Sequence, residues 1–104
     1  MDMFSALADP TRRSIMEMLS DSGQLSASDI YSHFNVSHPA ISQHLKILRE
    51  AKLVDMEKRA QQRIYQVNVQ TMLEVETWLK KTTRKWNVRF DTLEKIIKDD
   101  KGGG

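Results

Sequence analysis

Pro39, Ser42, Gln43 and Lys46 recur at intervals that place them on one face of a helix, within the stretch FNVSHPAISQHLKILREAKL from Phe34 to Leu53. The hydroxyl, amide and ammonium groups they carry are short enough to meet a base edge or a phosphate. Ile41, Leu45 and Leu48 follow i, i+4, i+7 spacing on the opposite face, an apolar stripe that must pack inward. Ser37 is a good N-cap, and Pro39 falls in the first turn, where its missing N–H costs nothing. A helix buried on one side and bearing short polar groups on the other suits insertion into a DNA major groove. The same pattern fits an ordinary amphipathic helix with a solvated back, so the neighbouring elements must decide.

Catalytic chemistry finds no foothold. The chain has no cysteine, hence no thiolate nucleophile, disulfide framework or thiol redox switch. It has no glycine-rich phosphate loop, and Ser42 and His44, two apart on a helix, point to different faces. Nothing calls for a cofactor.

The elements around these residues fit within 104 residues, one small domain with a modest core. No apolar run approaches the roughly 20 residues of a membrane span and no signal-peptide pattern opens the chain, so cytoplasmic residence without membrane insertion is expected. The net charge of +2 says little, but its distribution says more. Residues 1–36 hold two Lys/Arg against five Asp/Glu, residues 37–69 six against three, and residues 70–104 eight against six. The positive excess begins at the candidate reading helix, as attraction to phosphate requires, although a solvated surface could carry the same excess.

Phe4, Leu7 and Ala8 suggest a short first helix that needs docking to be stable. Asp9-Pro10 restarts the chain as N-cap and first helical residue, Ile15, Met16 and Leu19 point inward, and Asp21-Ser22-Gly23 ends the helix. Arg12 and Arg13 lie in its first turn, where the helix dipole disfavours cations; they either pair with acids such as Asp9 or reach toward phosphate. A third helix starts at Ser26, with Asp29 completing an acidic capping box; Ile30 and Phe34 face the core and Tyr31 flanks them. Asn35 is expected in the left-handed conformation and Val36 as the anchor of the turn. Two helices joined that tightly make a helix-turn-helix.

After Ala51-Lys52 the period shortens to about two residues, giving strands over Leu53–Arg59 and Arg63–Asn68 joined near Ala60-Gln61-Gln62. Such a hairpin is a wing, and Lys58, Arg59, Gln61, Gln62 and Arg63 at its tip suit a minor groove or a phosphate rail. Alternatively, its Lys and Arg guard an exposed sheet edge. From Gln70 to Asp100 there is no Pro or Gly, and Met72, Val75, Leu79, Thr82, Trp86, Arg89, Leu93 and Ile96 alternate at +3 and +4. Trp78, Phe90 and Ile97 widen that stripe. A helix of about 30 residues is roughly 45 Å long, more than a small domain can cover. Its apolar face therefore predicts a homodimer built with the Phe4–Leu7 segment; the alternative is a helix folded back over its own core.

The segments ALADPTRRSIMEML (6–19), SASDIYSHFNVSHPAISQHLKILREAKLV (26–54) and RIYQV (63–67) resemble the ArsR/SmtB-type bacterial winged-helix repressors over most of residues 3–69. The long tryptophan-bearing last helix is similar to the cysteine-free branch of SdpR-type autorepressors. The resemblance implies a symmetric dimer, formed by the first and last helices, that binds an imperfect palindrome in double-stranded operator DNA and blocks transcription. It implies that Ser37, His38, Pro39, Ala40, Ser42, Gln43 and Lys46 lie nearest the DNA. Metal sensors of this type carry Cys-x-Cys-Asp where this chain has Ser26-Ala27-Ser28-Asp29, and their other ligand set includes histidine on the last helix, which here has none. His33, His38 and His44 all lie in the helix-turn-helix, where DNA contact or local packing suits them better than zinc, so no metal site is expected. The usual glycine of the wing turn is absent.

The fold expected is mainly α with a small β-hairpin (α+β): a winged helix-turn-helix with a long C-terminal dimerisation helix. Residues 1–100 form one domain, with a DNA-binding core and wing at 3–69, a dimerisation helix at 70–100 and a flexible tail at 101–104. The expected dimer interface comprises Phe4, Leu7, Met72, Val75, Leu79, Trp86, Phe90 and Leu93. The expected function is a homodimeric, sequence-specific repressor without enzymatic activity. The alternative is a winged-helix interaction module, or a repressor released by a regulatory protein rather than by metal.

Overall fold

A computed structural model describes residues 1–102, with side chains through Lys98. The elements run α1 (Met3–Leu7), α2 (Pro10–Ser22), β1 (Leu25–Ser26), α3 (Ala27–Ser32), α4 (His38–Glu50), β2 (Val54–Arg59), β3 (Gln62–Val67) and α5 (Val69–Gly102). The chain divides into two compact units, Met1–Leu73 and Glu74–Gly104. Of the tail expected at 101–104, residues 103 and 104 lie outside the described residues, and α5 continues through Gly102.

Local signals place the helices of the first unit. Asp2, Asp9, Ser26 and Ser37 each accept a backbone N–H with the side chain, capping α1, α2, α3 and α4 in turn. Ser26 and Asp29 complete the reciprocal capping box. Each such cap contributes about 1 kcal/mol. Burying Ile41, Leu45 and Leu48 of α4, all 0–1% exposed, contributes roughly 1.5–3 kcal/mol apiece. Packing therefore outweighs capping in deciding how α4 is rotated. Its buried stripe joins Ala6, Ile15, Leu19, Ile30, Leu53, Val54 and Tyr65 in a single core.

The wing is larger than a hairpin. β3 is the central strand of an antiparallel sheet ordered β1-β3-β2, with Leu25 opposite Tyr65 and Ser26 opposite Ile64 on one side. On the other side, six pairs run from Val54–Val67 to Arg59–Gln62. β1 is only two residues long, too short for alternation to register in the sequence. The hairpin turn is Ala60-Gln61, and Ala60 adopts φ +54°, the left-handed conformation that glycine takes at least cost.

The turn between α3 and α4 departs from expectation. Asn35 is not left-handed; among the described residues only Gly23, Lys52 and Ala60 have positive φ. Instead α3 closes early, at His33, whose N–H donates to the Ile30 and Tyr31 carbonyls. Val36 is 53% exposed and anchors nothing. The left-handed residue sits at the end of α4, where Lys52 N–H donates to the Arg49 carbonyl and Leu53 N–H to the Leu48 carbonyl. This is a Schellman ending, with buried Leu48 and Leu53 as its apolar pair.

α5 starts in the first unit, which holds Val69–Leu73, and its remainder makes up the second. Asn68 Oδ1 accepts the Thr71 N–H at 3.2 Å where the helix begins. Glu76–Lys80 and Glu94–Lys98 form exposed i, i+4 ion pairs, which contribute only tenths of a kcal/mol. Met72, still within the first unit, packs against its core. In the second unit Val75 is 7% exposed, whereas Trp78, Leu79, Trp86, Phe90, Leu93, Ile96 and Ile97 are about half exposed.

Two stability outcomes follow. Lys52→Gly relieves a left-handed lysine and should raise the unfolding free energy by about 1 kcal/mol, read as an increase of several degrees in Tm; an unchanged or lower Tm contradicts the assignment. Asp9 is held below its ordinary pKa of 3.8, first by the Arg12 backbone N–H and then by the His44 and Arg12 charges. The capping contribution is therefore complete above that value and is lost as pH falls through the lowered folded value. Asp9→Asn caps without titrating, so its acid-induced loss of Tm should be smaller than that of the parent; equal losses would refute the linkage.

Candidate nucleic-acid interface

With α4 held by its buried stripe, the opposite face is set toward solvent. Ser37, His38, Pro39, Ser42, Gln43 and Lys46 are exposed and Ala40 is partly exposed. Arg49, three residues beyond Lys46, extends the same stripe by a turn and is also exposed. Its place on that stripe was legible from spacing alone.

Two of these residues are pre-positioned from α3. The Tyr31 hydroxyl lies 2.6 Å from Ser42 Oγ, and its ring stacks on His38 with centroids 4.5 Å apart and planes 12° from parallel. Tyr31 therefore belongs to the exposed face of the helix-turn-helix as well as flanking the core. No sequence period signals this, because the partners lie seven and eleven residues away across a turn. A hydroxyl paired with Tyr31 retains two of its three hydrogen-bonding capacities for a base or water. Ser37 Oγ is taken as an acceptor by the Ala40 N–H at 3.3 Å, but its own O–H remains a donor.

The wing residues divide between the two faces of the sheet. Lys58 and Arg63 are directly opposite in register, and so are Arg59 and Gln62 one residue further out. Like charges directly opposite are unfavourable, so the Lys58–Arg63 pair is a site that an anion would relieve. Arg59 is already engaged: one Nη donates to Glu57 at 3.2 Å and the other to Gln24 Oε1 at 3.2 Å. Gln24 in turn donates to Gln66. Lys58, Gln61, Gln62 and Arg63 are exposed.

Neither Arg12 nor Arg13 forms an ion pair with an acid among the described residues; both guanidiniums bind backbone carbonyls. Arg12 is 8% exposed, and its guanidinium donates to the Ala6 carbonyl at 2.7 Å and the Ser5 carbonyl at 3.3 Å. Arg13 donates to the Leu7 and Ala8 carbonyls at 2.8 and 3.0 Å. Both satisfy carbonyls left open where α1 ends, which no acid side chain could do. Arg12 Nη1 also lies 3.2 Å from His44 Nδ1, and Asp9 is 3.8 Å from the same nitrogen, so His44 is drawn into the α1–α2–α4 junction. His33 pairs with the Asp29 carbonyl at 2.8 Å. Of the three histidines, only His38 lies on the exposed face of α4 with Ser42 and Gln43. Among the described residues no three His, Asp or Glu side chains converge as metal ligands.

Residues 9–56 match the family model described as bacterial regulatory protein, arsR family. The chain is 37% identical over 78 residues to the transcriptional repressor SdpR of Bacillus subtilis, an alignment covering 75% of this chain and 86% of that one. In structure it is similar to an ArsR-like transcriptional regulator from Rhodococcus sp. RHA1, with a TM-score of 0.76, 28% identity, and 89% and 87% of the two chains covered. It is also similar to HlyU from Vibrio cholerae, with a TM-score of 0.61, 35% identity, and coverage of 74% and 86%. The helix-turn-helix, the wing and these likenesses together show that the chain belongs to the arsR family of bacterial regulatory proteins, which are DNA-binding transcriptional regulators and not enzymes.

Proposed function

We propose that this protein is a homodimeric repressor that reads an imperfect palindrome in double-stranded operator DNA with α4. The observation that carries the reading is the polar stripe Pro39–Ser42–Gln43–Lys46, turned to solvent by the burial of Ile41, Leu45 and Leu48. Gln43 and Lys46 have no side-chain bond to another described residue, so both are free for a partner. Gln43, with Ser42 and His38, reads base edges; Lys46 and the wing cations Lys58, Arg59 and Arg63 supply phosphate attraction. Ser37, Pro39, Ala40, Gln61 and Gln62 complete the contact surface. The repressor role agrees with that of SdpR and of the arsenical resistance operon repressor of Staphylococcus xylosus, to which the chain is 38% identical over 66 residues.

Pairing is supported by the half-exposed Leu79, Trp86, Phe90 and Leu93 of α5, a patch larger than isolated subunits normally leave in water. Phe4, 36% exposed, and partly buried Leu7 contribute from α1, while Met72 and Val75 offer little surface beyond their own chain. Two-fold symmetry places the reading helices about 34 Å apart, one turn of DNA. With serines at positions 26 and 28, release by thiolate-bound metal is not available to this chain, and a regulatory protein that relieves repression fits better.

Selection of binding sites from random duplexes tests the whole reading, which predicts two similar half-sites about 10 base pairs apart. Gln43→Ala should relax the preference at one position per half-site, at a cost of roughly 1–3 kcal/mol. Tyr31→Phe keeps the His38 stack but frees Ser42, and should alter the selected base near Gln43 while leaving affinity for unrelated DNA unchanged. If both variants select the parent's sequence, α4 does not read DNA. Sedimentation should give a dimer at micromolar concentration, and Trp86→Ala combined with Phe90→Ala should weaken it at least about tenfold. A monomeric parent would end the pairing proposal.

A further inference from the structure

Beyond the reading stripe, the C-terminal half of α4 and β3 enclose a cleft of about 490 Å³ lined by Lys46, Arg49, Glu50, Arg63 and Tyr65. Three cations thus face one carboxylate. None of the ion pairs within 4.0 Å among the described residues involves Lys46, Arg49 or Arg63. The other arginines of the first unit already have partners within the chain: Arg12 and Arg13 on carbonyls, Arg59 on Gln24 and, in an exposed pair, on Glu57. Arg63 and Tyr65 stand two apart on β3 and share a face of the sheet, so the strand supplies a guanidinium and a phenol together. Burial pushes the Tyr65 phenol up against the pull of the Arg63 and Arg49 charges beside it.

Uncompensated guanidinium groups held side by side with a hydroxyl donor match a tetrahedral oxyanion, because each planar fork can take two of its oxygens. A duplex entered by α4 runs its sugar-phosphate backbone along the rim of that groove, and the cleft continues the reading stripe at one end. We propose that the cleft is a phosphate seat, filled in the DNA complex by one backbone phosphodiester held by Lys46, Arg49 and Arg63. Arg49 and Tyr65 thereby join the interface, and Glu50 opposes the anion and tempers its affinity. The inference rests on the DNA reading above, but it concerns a single anchoring point and not the sequence read.

The test is fluorescence anisotropy of the full chain on its selected duplex and on an unrelated duplex, over a series from about 50 to 200 mM salt. Arg49→Gln should weaken both duplexes by the same factor, roughly 3- to 10-fold at the low-salt end, and reduce the salt slope by about 0.9. Arg49→Lys should restore most of the slope, which a purely structural role for the arginine would not require, and Glu50→Gln should strengthen both complexes. An unchanged slope in Arg49→Gln overturns the backbone assignment. If inorganic phosphate then shifts the amide resonances around the cleft of the parent but not of Arg49→Gln, the seat belongs to a free phosphate; if it shifts neither, there is no seat. A parent that binds no duplex at all would refute the DNA reading instead, and the phosphate titration alone would decide the cleft.

Discussion

Burial of Ile41, Leu45 and Leu48 is the constraint on which the rest of the site depends. A helix has a fixed angular relation between its faces, so sealing one stripe into the core determines which residues stand in water. Pro39, Ser42, Gln43, Lys46 and Arg49 are outside because those three are inside. The Schellman ending at Lys52 and the cap at Ser37 limit the helix at each end, and the strain of a left-handed lysine is carried by the apolar contact of Leu48 and Leu53. Capping refines this arrangement without deciding it, since its contribution is smaller than that of a single buried leucine.

Charge is sorted by the same packing. A net charge of +2 cannot distinguish a nucleic-acid binder from an ordinary protein, because it does not say which cations are already engaged. Arg12 and Arg13 hold the end of α1 and are structural. Arg59 lies along the sheet, tied to Glu57 and Gln24. Lys46, Arg49 and Arg63 gather around one cleft with a single carboxylate among them. The potential that DNA would meet depends on cations without an internal partner, and three of them sit together at this cleft.

α5 carries the opposite kind of information. Its exposed aromatics, with Trp86 and Phe90 ring centroids 5.9 Å apart and the Arg89 guanidinium 5.7 Å from the Trp86 ring, form an apolar surface that is costly to leave in water. In the proposed pair, symmetry is what would turn one reading helix into a palindrome reader.

The sequence by itself determined the helices, the N-caps of α2, α3 and α4, the inward stripes and the hairpin, because those signals act between near neighbours or through a two-residue period. Asp9-Pro10, Ser26 with Asp29, and Ser37-Pro39 are legible for that reason. Tertiary structure alone decided the contacts between distant residues: Tyr31 on Ser42 and His38, Arg12 on His44 thirty-two residues away, and Gln24 on Gln66 forty-two away. It also decided the positive φ at Lys52 and Ala60 and the two-residue strand β1, none of which carries a glycine or an alternation to announce it. These features exist because the core brings separate elements within hydrogen-bonding reach, and no local pattern encodes which side chains will then find each other.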